Sequence, residues 1–523
     1  MSGCSSGRDP SWQNRYSEAR EKYRSGYTDT ALQLADTGYH EAEGKDQIWS
    51  WRFRILLAQI RLRQGAPDQA MTLLRSEPPA NSPGDVYVRR KIFQAYALCQ
   101  LSKLREAEGI LAQAELLPKS NEAALRAEIA LTRGLCVMFL DPAAAKQHFS
   151  QAEAFAHGSD PFIEAVAVSD IGYLLFKAAD YDAAIQRFNQ VMTLTDSPLL
   201  RERALGNTAE SYAELGDWRQ SIAFAEQAEK LAGEIKNTRE QEVWLIDLGR
   251  AHFVLTEFPE AERYYSQAHA IARRLNDTDK MWRCLNHLTE LALKRHDLKT
   301  AEQYWKEESA LNLGSEARAY ATVDAAEIAI ERKDFAKAEQ LFKEVLQSKP
   351  KDSVRLTVER ELGNVYWREN KIIEADRAFL RAIKDVEDTI SKLPLQFRMS
   401  FLDEDPFYDS YVRFLVAQGR KFEALKIAER GRAQILSQAT SYSQGGLSPF
   451  SLETVQSALK RRTLTALAYS LTNDESFLWV LTPTLLKVVH LPSHKALRTL
   501  PFFSVARPES SVPKLISSPA ILA

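Results

Sequence analysis

The sequence predicts an all-α molecule built as a helical solenoid, and three observations carry that prediction. A small residue recurs every 37–40 positions, at Ala70, Ala107, Ala145, Ala184, Ser221, Ala261, Ala301, Ala338 and Ala375. Bulky residues flank it at fixed offsets. Leu104, Tyr181, Trp218, Phe258, Leu298, Phe335 and Ile372 stand about three positions before it. Leu74, Leu111, Phe149, Phe188, Tyr265, Trp305, Phe342 and Phe379 stand four after. The 523 residues are 45% hydrophobic and 26% charged, the balance of a folded chain. Self-similarity at a fixed period marks stacked helix pairs. Such stacks build long concave surfaces, which suit binding better than catalysis.

Taken in order, residues 1–11 form a polar tail that is expected to be flexible. Within it, Ser2-Gly3-Cys4-Ser5-Ser6-Gly7 is similar to the end of a bacterial lipoprotein signal, although the charged and apolar regions that precede such a site are missing. Two expectations stand side by side. In one, the true start lies upstream and the protein is anchored to a membrane through a lipidated Cys4. In the other, Cys4 is incidental and the chain, lacking an export signal as written, is cytoplasmic.

Residues 12–385 hold the repeats. In Leu205–Tyr212 followed by Leu215-Gly216-Asp217-Trp218, the small Ala209 permits a close helix contact and Tyr212 fills the space beside it. Gly216 stops the first helix in the left-handed conformation. Trp218 and Ser221 open the second helix, whose inward stripe continues through Ala225 and Ala228. The same logic runs through Leu362–Tyr366, Ile372, Ala375, Phe379 and Ala382, at the i, i+3, i+4, i+7 spacing of one buried face. This arrangement resembles the tetratricopeptide repeat over roughly residues 12–430. The fit is degenerate in places: Thr30 and Ser221 take the alanine position, and Pro67 and Pro142 the aromatic one. About ten helix pairs are expected, with nearly every named aromatic, including Trp218, Tyr265 and Trp305, in the core.

The resemblance also implies a concave groove lined by the first helix of each pair. Its register places Tyr173, Glu210, Arg250, Phe253, Asn364 and Trp367 on that face. Aromatic, charged and amide groups together suit an extended peptide or a partner's helix.

From about residue 386 the character changes. Leu393–Arg398, Phe401, Tyr408, Tyr411 and Phe414-Leu415 lead to Glu423–Ala433, and 386–436 reads as a last helical repeat or connector. The stretch 437–450, rich in Ser, Gly and Gln, reads as a linker. A short helix over Leu452–Leu459 is then followed by three strands, Leu464–Leu471, Phe477–Leu481 and Leu485–Leu491, with a turn at Asn473-Asp474. The sequence from the connector to about residue 500 resembles the opening of a CHAT domain, the caspase-like peptidase domain attached to tetratricopeptide arrays. The fold class is thus an α-solenoid followed by a small partial α/β segment. Residues 451–500 form the truncated domain start, and 501–523 a disordered tail. The meander on its own leaves an apolar face around Phe477, Trp479 and Val488, so residues 450–523 are expected to be loosely packed, docked on the last repeats, or paired with a partner strand.

CHAT peptidases use a Cys activated by a His well downstream of this opening. No cysteine follows Cys284, and beyond His296 the histidines are His490 and His494. Cys284 and His287 lie one helical turn apart, near His296, but lack the carboxylate support of a metal or catalytic site. Cys99 and Cys136 read as small core residues, with no disulfide framework. No phosphate loop, cofactor motif or metal set is found, and a net charge of −2 gives no reason to expect nucleic acid. No apolar run reaches the length of a membrane span. The expectation is a non-catalytic scaffold for a peptide or protein partner. The alternative is the regulatory front part of a caspase-like cysteine peptidase whose catalytic half lies outside this chain.

Overall fold

A computed structural model describes residues 10–117, 119, 122–392, 407–439, 451–470 and 475–492. The chain divides into two compact units, Met1–Leu313 and Gly314–Ala523. In the first, consecutive helices pack as eight antiparallel pairs: α1 (Pro10–Arg24) with α2 (Thr28–Ala42), α3 (Gln47–Arg63) with α4 (Pro67–Leu74), α5 (Gly84–Gln100) with α6 (Leu104–Glu115), α7 (Ala123–Val137) with α8 (Pro142–Ala156), α9 (Pro161–Lys177) with α10 (Tyr181–Leu194), α11 (Pro198–Glu214) with α12 (Trp218–Glu234), α13 (Thr238–Val254) with α14 (Phe258–Leu275) and α15 (Thr278–Lys294) with α16 (Leu298–Ser309). The second unit continues with α17 (Ser315–Glu331) and α18 (Phe335–Gln347), α19 (Asp352–Arg368) and α20 (Ile372–Lys392), then α21 (Phe407–Ala417) and α22 (Lys421–Ala439). It ends in α23 (Leu452–Arg462) and strands β1 (Ala466–Ser470), β2 (Ser476–Leu481) and β3 (Leu486–Leu491). The tail with Cys4, the Leu393–Phe401 run, most of the linker, the Asn473-Asp474 turn and the 501–523 tail lie outside the described residues.

The periodic small residue is the fourth residue of each second helix, and from Ala70 to Ala375 every one is at most 3% exposed. Four residues on, in α8, α10, α14 and α20, an aromatic ring enters a hole in the first helix that only a small residue leaves open. A Cβ added at Gly172 would meet Phe188 at 2.6 Å, at Gly249 it would meet Tyr265 at 2.6 Å, and at Gly363 it would meet Phe379 at 2.7 Å. Ala209 holds the same register and faces Ala225 instead of a ring. Gly216, at φ +76°, ends α11 as its sequence predicts, and Asp217 then caps α12 by accepting from Gln220 N at 3.1 Å. One register differs from expectation. Thr30 is exposed and Ala31, the fourth residue of α2, is fully buried, so α2 begins one residue later than the repeat spacing implies.

One further expectation is corrected, and one of the alternatives for the C-terminal segment is found. Cys99 and Cys136 are joined by a disulfide, with their Cα atoms 5.2 Å apart, because α5 and α7 pack directly on one another. The inner face of the meander is also covered. The strands pair antiparallel in the order β1-β2-β3. Phe477 and Trp479 of β2 are fully buried in one cluster with Phe379, Tyr411, Phe414 and Leu425. The Trp479 indole N–H donates to the carbonyl of Lys421 at 3.1 Å. The last helices thus supply the apolar surface that closes the sheet, and exposed Leu467 and Tyr469 mark its opposite face.

Candidate binding groove

Helices α9, α11, α13 and α15 are each 17 residues long, so equivalent positions recur in register. Their thirteenth residues are Tyr173, Glu210, Arg250 and Glu290, and their tenth, one turn earlier, are Asp170, Asn207, Asp247 and His287. The two rows share one face, because each charge is felt by residues of the neighbouring first helices. Burial pushes the Glu210 carboxyl up to about 7, with Lys177 of α9 and Arg250 of α13 opposing the shift. Burial and then Glu210 push Asp247 up to about 8. One Asp247 carboxylate oxygen is enclosed and has no hydrogen-bond partner. Burial, with Arg250 and Arg283 nearby, pushes His287 down to about 4, and its ring stacks on Tyr265 at 4.9 Å. Burial also raises Glu290. This is a strip of desolvated, protonatable groups, with exposed Arg250 beside it.

Toward the N-terminus the same face closes on itself. Burial pushes Asp170 up to about 6 despite Arg203 at 3.7 Å. Arg24, near the end of α1, reaches across to Asp160 at 2.5 Å and lies over the Phe162 ring at 4.7 Å. Ser197 Oγ donates to the Arg24 carbonyl at 2.6 Å. Gly26 follows at φ +92°, in a space where a Cβ would stand 2.8 Å from Ile235. The first helix therefore seals against α9, α11 and the end of α12, and the strip on α11–α15 lies beyond that seal.

Of the residues expected in the groove, Tyr173, Glu210 and Arg250 occupy one row. Tyr173 is half-buried, with its ring 6.5 Å from Phe176 and Lys177 Nζ 5.8 Å away. Phe253 is one turn further along α13 and rests 5.9 Å from Phe258 of the next helix. In the second unit, Asn364 donates to Glu361 at 3.1 Å, and Trp367 meets Phe414 edge-on at 5.7 Å while packing on the cluster beneath the sheet. The sequence reading passed over Asp247 and took His287 only as a neighbour of Cys284, although both lie three residues before a thirteenth-position residue.

The Cys284–His287 pair runs against nucleophilic chemistry. Cys284 is fully buried and its thiol is pushed up to about 12 by burial, whereas the imidazole is pushed down. An activated thiolate needs the reverse. His296 stands apart, in the left-handed turn after α15 at φ +56°. Among the described residues, no group of three or more His, Cys, Asp or Glu could hold a metal ion, and no helix is long and apolar enough to cross a membrane.

No family model matches the chain, and no curated protein does. Among solved structures the fold is similar to the apo form of RapI, with a TM-score of 0.54 at 10% identity, over 65% of this chain and 99% of that one. Other likenesses are the apo quorum sensor NprR from B. thuringiensis, with TM-score 0.43, 13% identity and coverage of 64% and 98%, and the Cut9 of the Cut9–Hcn1 hetero-tetramer, with TM-score 0.35, 15% identity and coverage of 71% and 80%. At such identities the likeness is one of fold. The chain has a tetratricopeptide-type helical-repeat fold with a small three-stranded sheet near its C-terminus.

Proposed function

We propose that this chain is a non-catalytic interaction scaffold that takes a peptide or a segment of a partner protein on the inner strip of α9–α15. One observation carries the reading: Glu210 and Asp247 are desolvated carboxyl groups of neighbouring first helices, and one Asp247 oxygen is enclosed with no hydrogen-bond partner. Such groups cost stability unless something is gained, and strongly shifted groups concentrate at functional sites. Tyr173, Arg250 and His287 flank the pair, and Phe253 shapes the edge of the strip. Asn364 and Trp367 belong to the second unit. In this scheme residues 12–385 are the repeat array, 386–436 its last repeat and connector, 437–450 a linker and 451–500 the sheet-bearing segment.

The test is photo-crosslinking in native cells from a reactive side chain placed at Tyr173 or Arg250, with exposed Lys230 of α12 as the control. One discrete partner adduct from Tyr173 and Arg250, absent at Lys230, is expected. Adducts from Lys230 with none from the strip would sink the reading.

A second reading is that the C-terminal segment opens a CHAT-like domain, making the array the regulatory part of a peptidase. The helix α23 followed by an antiparallel meander ending at Leu491-Pro492 favours it. Genomic sequence downstream that encodes strands with a His and a Cys would support it. Attachment to a membrane through a lipidated Cys4 is a further proposal, tested by metabolic labelling with a fatty-acid analogue.

A further inference from the structure

We propose that Cys99 and Cys136 form a structural disulfide in the working protein, so that the chain folds and acts in an oxidising compartment rather than in a reducing cytoplasm. Their Cα separation of 5.2 Å falls in the range that a disulfide spans without moving the backbone. The two residues lie near the C-terminal ends of α5 and α7, first helices of successive repeats. At the other ends of the same helices, Arg89 grips Glu128 through Nε and Nη2 at 3.2 and 3.0 Å. One covalent and one ionic fastener thus pin both ends of the pair, and α5 and α7 are in direct contact where α9, α11 and α13 rely on their intervening helices for most of theirs.

The pairing has no competitor among the described residues. Cys284 is fully buried in another repeat and cannot reach either sulfur without unfolding. Cys99 and Cys136 are half-buried, open to a thiol oxidant in a nearly folded chain. Oxidation proceeds by exchange. The thiolate of one cysteine attacks the disulfide of an oxidised dithiol-exchange protein and expels one of its sulfurs. The second thiolate then attacks the resulting mixed disulfide, closing the Cys99–Cys136 bond. The chain gives up two electrons and two protons, and the oxidant leaves as a dithiol. Disulfides of this kind persist where such oxidants act and are reduced in most cytosols.

The experiment traps the native thiol state. Cells are quenched in acid, free thiols are alkylated in denaturant, and the full chain is purified and digested without reduction. The expected result is a linked pair of peptides carrying Cys99 and Cys136, with alkylated Cys284 as the internal standard. Two further alkylation sites should appear only after reduction. Recovery of Cys99 and Cys136 both alkylated before reduction would overturn the proposal. A second measurement compares thermal midpoints of the natural chain and its Cys99→Ala/Cys136→Ala form. Reductant should lower the first to the level of the second and leave the second unmoved. A natural chain whose midpoint ignores reductant would also count against it.

Discussion

Glu210 and Asp247 show what burial does to a carboxyl group. Both have pKa values raised above those of an unfolded chain, so the folded state binds more protons than the unfolded one between about pH 4 and about pH 8. Stability is therefore full below that window and falls as pH rises through it. Glu210→Gln with Asp247→Asn should lessen this slope and stabilise the first unit at pH 8 by roughly 1–3 kcal/mol, read by denaturant titration at pH 5 and pH 8. Equal slopes in both forms would contradict the assignment. Fully buried Glu202 is handled differently. It accepts from the Trp244 indole and from Asn237 at 3.5 Å, which limits its rise to about 7. The sequence pointed to Glu210 through the repeat register but not to Asp247, because an acid on a helix face looks like ordinary solvent-facing surface until its neighbours are placed.

At the scale of the helix pair, the fold rests on holes that small residues leave open. Gly206 is the tightest: a Cβ there would stand 2.2 Å from the Trp244 ring, which Glu202 holds in place. Gly206→Ala should cost about 1–3 kcal/mol or more through overpacking, measurable as a lowered thermal midpoint with no such loss for Gly109→Ala in α6, where a Cβ would meet nothing within 4 Å. The repeat positions were legible from the sequence because period and small residue coincide at nine successive sites, most of them flanked by an aromatic. Thr30 misled because Tyr27 lies before the first helical residue of α2, so counting from that aromatic falls one position short of Ala31. The Cys99–Cys136 bond was invisible for another reason. A separation of 37 residues in sequence says nothing of contact until α5 and α7 are seen to touch.

Within each whole unit, long-range contacts decide what remains accessible. In the first, Asp160 ties α1 to the start of α9. Burial alone would raise its pKa, but Arg24 and Arg20 hold it below the usual carboxylate value. That contribution is present above about pH 4 and is lost as pH falls through the lowered value. Arg24→Ala should cost about 1.5–3 kcal/mol and speed hydrogen exchange in α1 ahead of the other helices. Uniform exchange across the unit would argue against a seal at this point. In the second unit, Trp479 joins the sheet to α22, and Trp479→Ala should cost about 3–5 kcal/mol and expose the meander to protease. The three strands were legible from their alternation and turn residues. Their docking was legible only as one of three alternatives, since it depends on apolar residues of α21 and α22 that sequence alone assigns to the helices' own packing.

The claim on which the binding site rests is that the inner strip of α11–α15 keeps its carboxyl groups out of water. Infrared titration of the carboxyl stretch reads this directly, in the natural chain and in the Glu210→Gln/Asp247→Asn form. A protonated-carboxyl band that persists at pH 6 and disappears near pH 7–8, weaker in the variant by the share of Glu210 and Asp247 while that of Glu202 remains, is the predicted result. Identical spectra in the two forms, with every carboxyl ionised by pH 6, would contradict the account.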